Sequence, residues 1–138
     1  MGYIMEEYNR VLLRNCLTKS LEAFNDAKFN FENNRFKVTL NRIYYSIFYS
    51  VMALGYKENF ITSKHKRLMG WFNKIYIHEN NIFDERLMKI YQKSFNDRQE
   101  ADYTVSDTSN LSRDEIELAL NDAELFNNEI KKYLDKFI

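Results

Sequence analysis

Proline is absent from this 138-residue chain, and glycine occurs three times, at Gly2, Gly55 and Gly70. Those residues punctuate strands and turns, so their scarcity argues against a sheet protein and for long helices. A single cysteine, Cys16, supports neither an intramolecular disulfide nor a cysteine-built zinc site. That excludes a stapled secreted scaffold and fits a reducing cytoplasm. The two histidines, His65 and His78, stand outside the H-x3-H and H-E-x-x-H spacings, so no metal site is expected. With no P-loop and no G-x-G-x-x-G, nucleoside-triphosphate hydrolysis is not expected either, and no cofactor is implied. Neither sign of charge is in excess: 20 Lys plus Arg face 20 Asp plus Glu. A general nucleic-acid coat is thereby excluded, while a local basic patch stays open. The most apolar stretch, residues 43–54, is interrupted by Ser46 and Ser50 and falls short of the roughly 20 residues of a membrane span. The opening MGYIMEEYNR has neither the basic start nor the apolar run of a secretory signal. The expectation is a cytoplasmic protein with no membrane contact.

What is present is a core. Hydrophobic residues make up 45% of the chain, including 10 Tyr and 11 Phe, and the length suits one domain over residues 1–138. Apolar residues recur at three- and four-residue steps in five segments. Leu13, Leu17, Leu21, Phe24, Ala27 and Phe31 line a first helix that ends near Glu32. Phe36, Leu40, Ile43, Ile47, Val51 and Leu54 line a second, with Gly55 placed for a left-handed cap. Its opposite side, Val38, Asn41, Arg42, Tyr45, Tyr49 and Met52, is mostly aromatic and apolar, so this helix is sandwiched within a bundle or against a partner. Thr62 or Ser63 caps a third helix carrying Leu68, Met69, Phe72, Ile75 and Tyr76, with Gly70 suggesting a close backbone approach. Asp84 caps a fourth, with Leu87, Ile90, Tyr91, Ser94, Arg98 and Ala101 on one side, followed by a polar loop from Thr104. Ser112 and Glu115 form a capping box for the fifth, lined by Ile116, Ala119, Ala123, Phe126, Ile130 and Leu134. The expected fold is all-α, a five-helix antiparallel bundle.

Two places could carry chemistry. Arg98 continues an inward stripe, so its cation needs a partner. Asp102 at i+4 could provide it as an internal ion pair; alternatively, the planar guanidinium could grip a phosphate. Ser63, Lys64, His65, Lys66 and Arg67 gather cations at a helix start, which reads either as an anion seat or as a solvated face. Cys16, on a helical stripe, reads as core packing.

The segment NRIYYSIFYSVMALG at 41–55, SKH at 63–65, WF at 71–72, R-x-x-A-D-Y at 98–103 and ALNDAELF at 119–126 follow one another in the order seen in HEPN-domain proteins. The chain resembles the small, single-domain prokaryotic branch of that superfamily. The resemblance implies a helical bundle that forms a homodimer and engages RNA or nucleotide. It also implies a toxin–antitoxin or defence setting, often alongside a minimal nucleotidyltransferase. Many such proteins are metal-independent ribonucleases with an R-x4-6-H signature, in which the Arg holds the scissile phosphate. Carried onto this chain, that Arg is Arg98, with Asp102 and Tyr103 completing the signature segment. Asn41, Arg42, Tyr45, Lys64 and His65 are then the candidate nucleic-acid contacts. The signature histidine has no counterpart, because Tyr103, Thr104 and Val105 occupy its register. Tyr titrates near pH 10 against about 6.5 for His, so Tyr103 is a poor proton shuttle at neutral pH. His65 could supply the missing imidazole from a neighbouring helix or the other subunit. On one continuous helix, Arg98 and Tyr103 would stand about 140° apart. By position, Tyr103 is also an acceptor for the adenylylation used in some pairs of this kind.

Overall fold

A computed structural model describes residues 5–103 and 111–138. Among the described residues the chain folds into α1 (Glu7–Glu32), α2 (Phe36–Glu58), α3 (His65–Phe72), α4 (Glu85–Tyr103) and α5 (Arg113–Leu134), with no strand. The third helix runs on into a π-helical turn, Asn73–Glu79, whose Tyr76 and Ile77 are buried. Among the described residues, no helix is long and apolar enough to cross a membrane.

α2 occupies the centre of the bundle and touches α1, α3, α4 and α5. Its composition requires that position. Leu40, Ile43, Ile47, Val51 and Leu54 are buried as expected, and Tyr44 and Phe48 on a neighbouring side are buried too. A helix apolar on most of its circumference gains stability only when surrounded. Val38 remains 43% exposed, while Asn41, Arg42, Tyr45, Tyr49 and Met52 are half-buried, so the second face of α2 is partly covered by its own chain.

Three local expectations are corrected. The inner stripe of α1 runs through Leu13, Cys16, Ser20, Ala23, Phe24, Ala27 and Phe31, whereas Leu21 is 61% exposed. α2 passes through Gly55 and ends at Asn59, which takes the left-handed conformation at φ 58°. Asn is the residue besides glycine that tolerates this cap. The close approach assigned to Gly70 occurs at Gly55 instead. A Cβ added at Gly55 would meet the Phe60 carbonyl oxygen at 2.5 Å, whereas nothing lies within 4 Å of one at Gly70.

Other local readings hold. Asp84 accepts the Arg86 backbone N–H at 2.8 Å, and Ser112 with Glu115 completes the capping box on α5. Thr62 Oγ1 accepts the Lys64 N–H at 3.2 Å just before α3, although Lys64 itself is the N-cap. The polar loop expected from Thr104 falls at 104–110, outside the described residues.

Polar groups tie three helices together inside the core. Ser20 donates to the Ser46 carbonyl at 2.7 Å, and its oxygen lies 2.8 Å from that of Ser50. Ser50 donates to Asn127 Oδ1 at 2.8 Å, and Asn127 Nδ2 donates to Ser46 Oγ at 3.0 Å. Each buried hydroxyl is satisfied, the condition under which such a network stabilises a fold.

Candidate functional site

The left-handed turn at Asn59 sends the chain back over α2. Phe60 N–H donates to the Gly55 carbonyl at 2.8 Å, and the Phe60 ring stacks on Trp71 with centroids 4.8 Å apart. This fastening delivers His65, the first residue of α3, onto the middle of α2. There the imidazole stacks on Phe48, with centroids 4.5 Å apart, and meets Tyr45 edge-on at 5.8 Å. Its Nδ1 shares a 2.8 Å hydrogen bond with the Tyr44 hydroxyl.

α4 brings Arg98 to the same place. Its Cζ lies 5.5 Å from the Tyr44 ring centroid and 5.3 Å from that of Tyr45. Phe95, one turn earlier, packs edge-on against Tyr44 at 5.8 Å. A second guanidinium, that of Arg42, sits 5.2 Å from the Tyr45 ring and donates through Nε and Nη2 to Asn41 Oδ1. Tyr45 thus bears two cations on one aromatic ring, each attracted by its quadrupole.

The ion pair expected from spacing is present. Arg98 Nε lies 3.1 Å from Asp102 Oδ2, but the buried Nε–H has no hydrogen-bond partner among the described residues. The pair is one of proximity without hydrogen-bond alignment. The Arg98 side chain stays 22% exposed and that of Asp102 47%, so the guanidinium is neither sealed inside the protomer nor fully hydrated. Arg42 and Arg98 against Asp102 leave a local excess of positive charge beside a neutral imidazole. Burial and then the neighbouring Arg98 cation lower the pKa of His65, whereas burial holds the Tyr44 phenol well above its usual range against the opposing pull of Arg98.

Of the predicted site residues, Asn41, Arg42, Tyr45, His65, Arg98 and Asp102 come together at this cluster. Tyr103 stands apart. α4 remains helical through Tyr103, whose side chain is 84% exposed, so Arg98 and Tyr103 project from different sides of one helix. Lys64 is exposed, as are Lys66 and Arg67. Sequence reasoning missed Tyr44 and Phe48. A tyrosine within the most apolar stretch of the chain was the available sign, because a buried phenol usually finds a hydrogen-bond partner.

Cys16 is buried, and that burial raises its thiol pKa to about 11, which fits a packing role. Among the described residues, no group of three His, Cys, Asp or Glu side chains converges to hold a metal. A cleft of 210 Å³ lined by Leu17, Ser20, Phe24, Asn25, Ser50 and Asn127 opens between α1, α2 and α5, and it contains none of the predicted site residues.

Residues 13–133 match the HEPN domain family. The chain belongs to that family. Relatives spanning most of its length point the same way. "Putative toxin MJ0605" of Methanocaldococcus jannaschii is 34% identical over 117 residues, covering 85% of this chain and 84% of the relative. "Putative toxin MJ0142" of the same organism is 35% identical over 133 residues, covering 95% and 87%. A "UPF0332 protein" of Thermotoga maritima is 30% identical over 129 residues, covering 94% and 90%. The all-α bundle is the architecture expected of a HEPN domain.

Proposed function

We propose that this HEPN protein acts as the toxin-like member of a toxin–antitoxin or defence system, and that it engages RNA at the Arg98 cluster and cleaves it without a metal. Family membership and the two relatives named as toxins support the setting. The observation that carries the RNA reading is Arg98. Its guanidinium is held over Tyr44 and Tyr45, partly exposed, with a carboxylate neighbour that does not satisfy its buried Nε–H. A guanidinium fixed in direction but short of acceptors suits the oxygens of a phosphodiester.

In the cleavage step the ribose 2′-hydroxyl gives its proton to water as its oxygen bonds to phosphorus, and the P–O5′ bond breaks with the 5′-oxygen taking a proton from water, leaving a 2′,3′-cyclic phosphate and a 5′-hydroxyl. Negative charge builds on the non-bridging oxygens, where a preoriented cation in a partly desolvated site is most effective. The planar Arg42 guanidinium carried on the Tyr45 ring offers a face to an unstacked base, one of the usual means of holding single-stranded RNA. Two copies meeting through α2 and α4, near Tyr45, Tyr49 and Arg98, would bring two such clusters to one seam.

The test is incubation of the purified protein with structured RNA in EDTA. Wild type cuts, and Arg98→Ala loses about a hundredfold or more in rate, the usual cost of removing one transition-state donor. Absence of cleavage together with absence of RNA binding by the wild type would refute the proposal. A second reading has its own observation: Tyr103, at 84% exposure, is open to a partner protein at the end of α4. Under that reading the protein is a non-catalytic module docking a minimal nucleotidyltransferase, and RNA binding persists without cleavage.

A further inference from the structure

The Tyr44 side chain is wholly buried, and among the described residues its hydroxyl has one partner, His65 Nδ1, at 2.8 Å. A buried phenol is stabilised when its hydrogen reaches an acceptor, and Tyr44 has one within reach where the buried Tyr76 and Tyr91 hydroxyls have no partner among the described residues. Were Nδ1 to carry a proton and donate to the phenol oxygen, the hydroxyl hydrogen would be left with none. The arrangement that satisfies both groups has Tyr44 donating to the Nδ1 lone pair. The single ring proton of neutral His65 then resides on Nε2, in a half-buried ring that is hydrogen-bonded to Tyr44 through Nδ1.

We propose that Tyr44 is a positioning residue that locks His65 as its neutral Nε2–H tautomer, so that His65 presents a hydrogen-bond donor to an RNA phosphate oxygen beside Arg98 and does not act as a base. The phosphate half of this proposal rests on the RNA reading above; the tautomer half stands on the Tyr44 geometry alone.

The electrostatic surroundings agree. Arg98 from α4 faces the imidazole, Tyr44 and Tyr45 from α2 are neutral phenols, and the flanking Lys64 and Lys66 are exposed cations. Asp102, the carboxylate of the cluster, is beside Arg98. Burial first and Arg98 second oppose protonation of His65, so the ring stays neutral at pH 7. Phe48 stacked at 4.5 Å and Tyr45 edge-on at 5.8 Å fix the ring plane, and with it the direction of the Nε2–H bond.

Long-range proton–nitrogen NMR on the uniformly labelled full chain reads the tautomer directly and needs no RNA. The expected result is a lone-pair Nδ1 and a protonated Nε2 at neutral pH, with the ring taking up its second proton at a lower pH than free histidine does. Tyr44→Phe removes the donor, and neutral His65 then populates both tautomers. A protonated Nδ1 in the wild type would overturn the proposal whether or not the variant folds, and so would an unchanged tautomer in a folded Tyr44→Phe.

The phosphate contact is read by binding of a short 2′-fluoro RNA, which lacks the attacking hydroxyl. His65→Ala weakens binding about tenfold, the size of one charge-assisted hydrogen bond, while His65→Gln, which keeps a donor, stays close to wild type. Binding that strengthens on acidification with the titration of His65 would show that the imidazolium is the binding form and sink the donor role. If the wild type binds no RNA, the RNA reading and the phosphate contact fail together, and the NMR result still decides the tautomer.

Discussion

Two guanidiniums on one phenol ring is an arrangement that water alone would discourage, since like charges separate unless something holds them. Arg42 and Arg98 each stay within 5.3 Å of the Tyr45 centroid because Asn41 anchors the first and Asp102 attends the second. A double-mutant cycle between Arg42→Ala and Tyr45→Leu should give a coupling of about 0.5–1 kcal/mol in urea denaturation, the usual strength of a partly exposed cation–π contact. His65 carries a pH signature of its own. Its pKa is lowered in the fold by burial and by Arg98, so the unfolded chain takes up this proton at a higher pH than the folded one. The corresponding stability is present above about pH 6.5 and is lost as pH falls through 6.5 toward the folded value. Urea midpoints measured from about pH 7.5 down to about pH 5.5 should therefore fall further for wild type than for His65→Gln, and parallel slopes would remove the claim.

At the scale of the helices, the two interior glycines make opposite demands. Gly55→Ala drives a methyl group against the Phe60 carbonyl in the turn that places His65, and should cost about 1–3 kcal/mol. Gly70→Ala meets open space on a helix and should add up to about 1 kcal/mol. Ser112→Ala breaks the capping box of α5 and should cost about 1 kcal/mol. Thermal and urea unfolding of the three variants checks all three signs. The helices themselves were legible from periodicity, as were the Asp84 and Ser112 caps, because those patterns are local. Which glycine a neighbouring backbone approaches was not, since that depends on where the chain goes after Asn59. The site divides in the same way. Arg98 stood out as a cation on an inward stripe, and Asp102 as its i+4 partner. The meeting of His65 with Tyr44 depends on a turn that returns α3 across α2, a tertiary fact with no sequence period. Tyr103 illustrates the converse: five residues from Arg98 along the chain, it is parted from it by the helix that joins them.

For the molecule as a whole, zero net charge with a local cationic excess at one cluster sets an expectation for the proposed RNA binding: it should weaken with salt, but with the shallow slope of a few phosphate contacts. The proposed dimer makes a separate demand, testable by light scattering: a mass of two chains at micromolar concentration, with charge substitution at Val38, 43% exposed on the outer side of α2, shifting it toward one. Beneath that surface, the hydroxyls of Ser20, Ser46 and Ser50 and the amide of Asn127 meet at fixed points along three helices. Greasy rods can slide past one another by a turn at little cost, trading one leucine contact for the next. Here a single step of slippage would break the hydrogen bonds that join the quartet across the three helices. The quartet therefore works as a tumbler lock, admitting one alignment of α1, α2 and α5 and so keeping fixed the platform on which His65 and Arg98 meet.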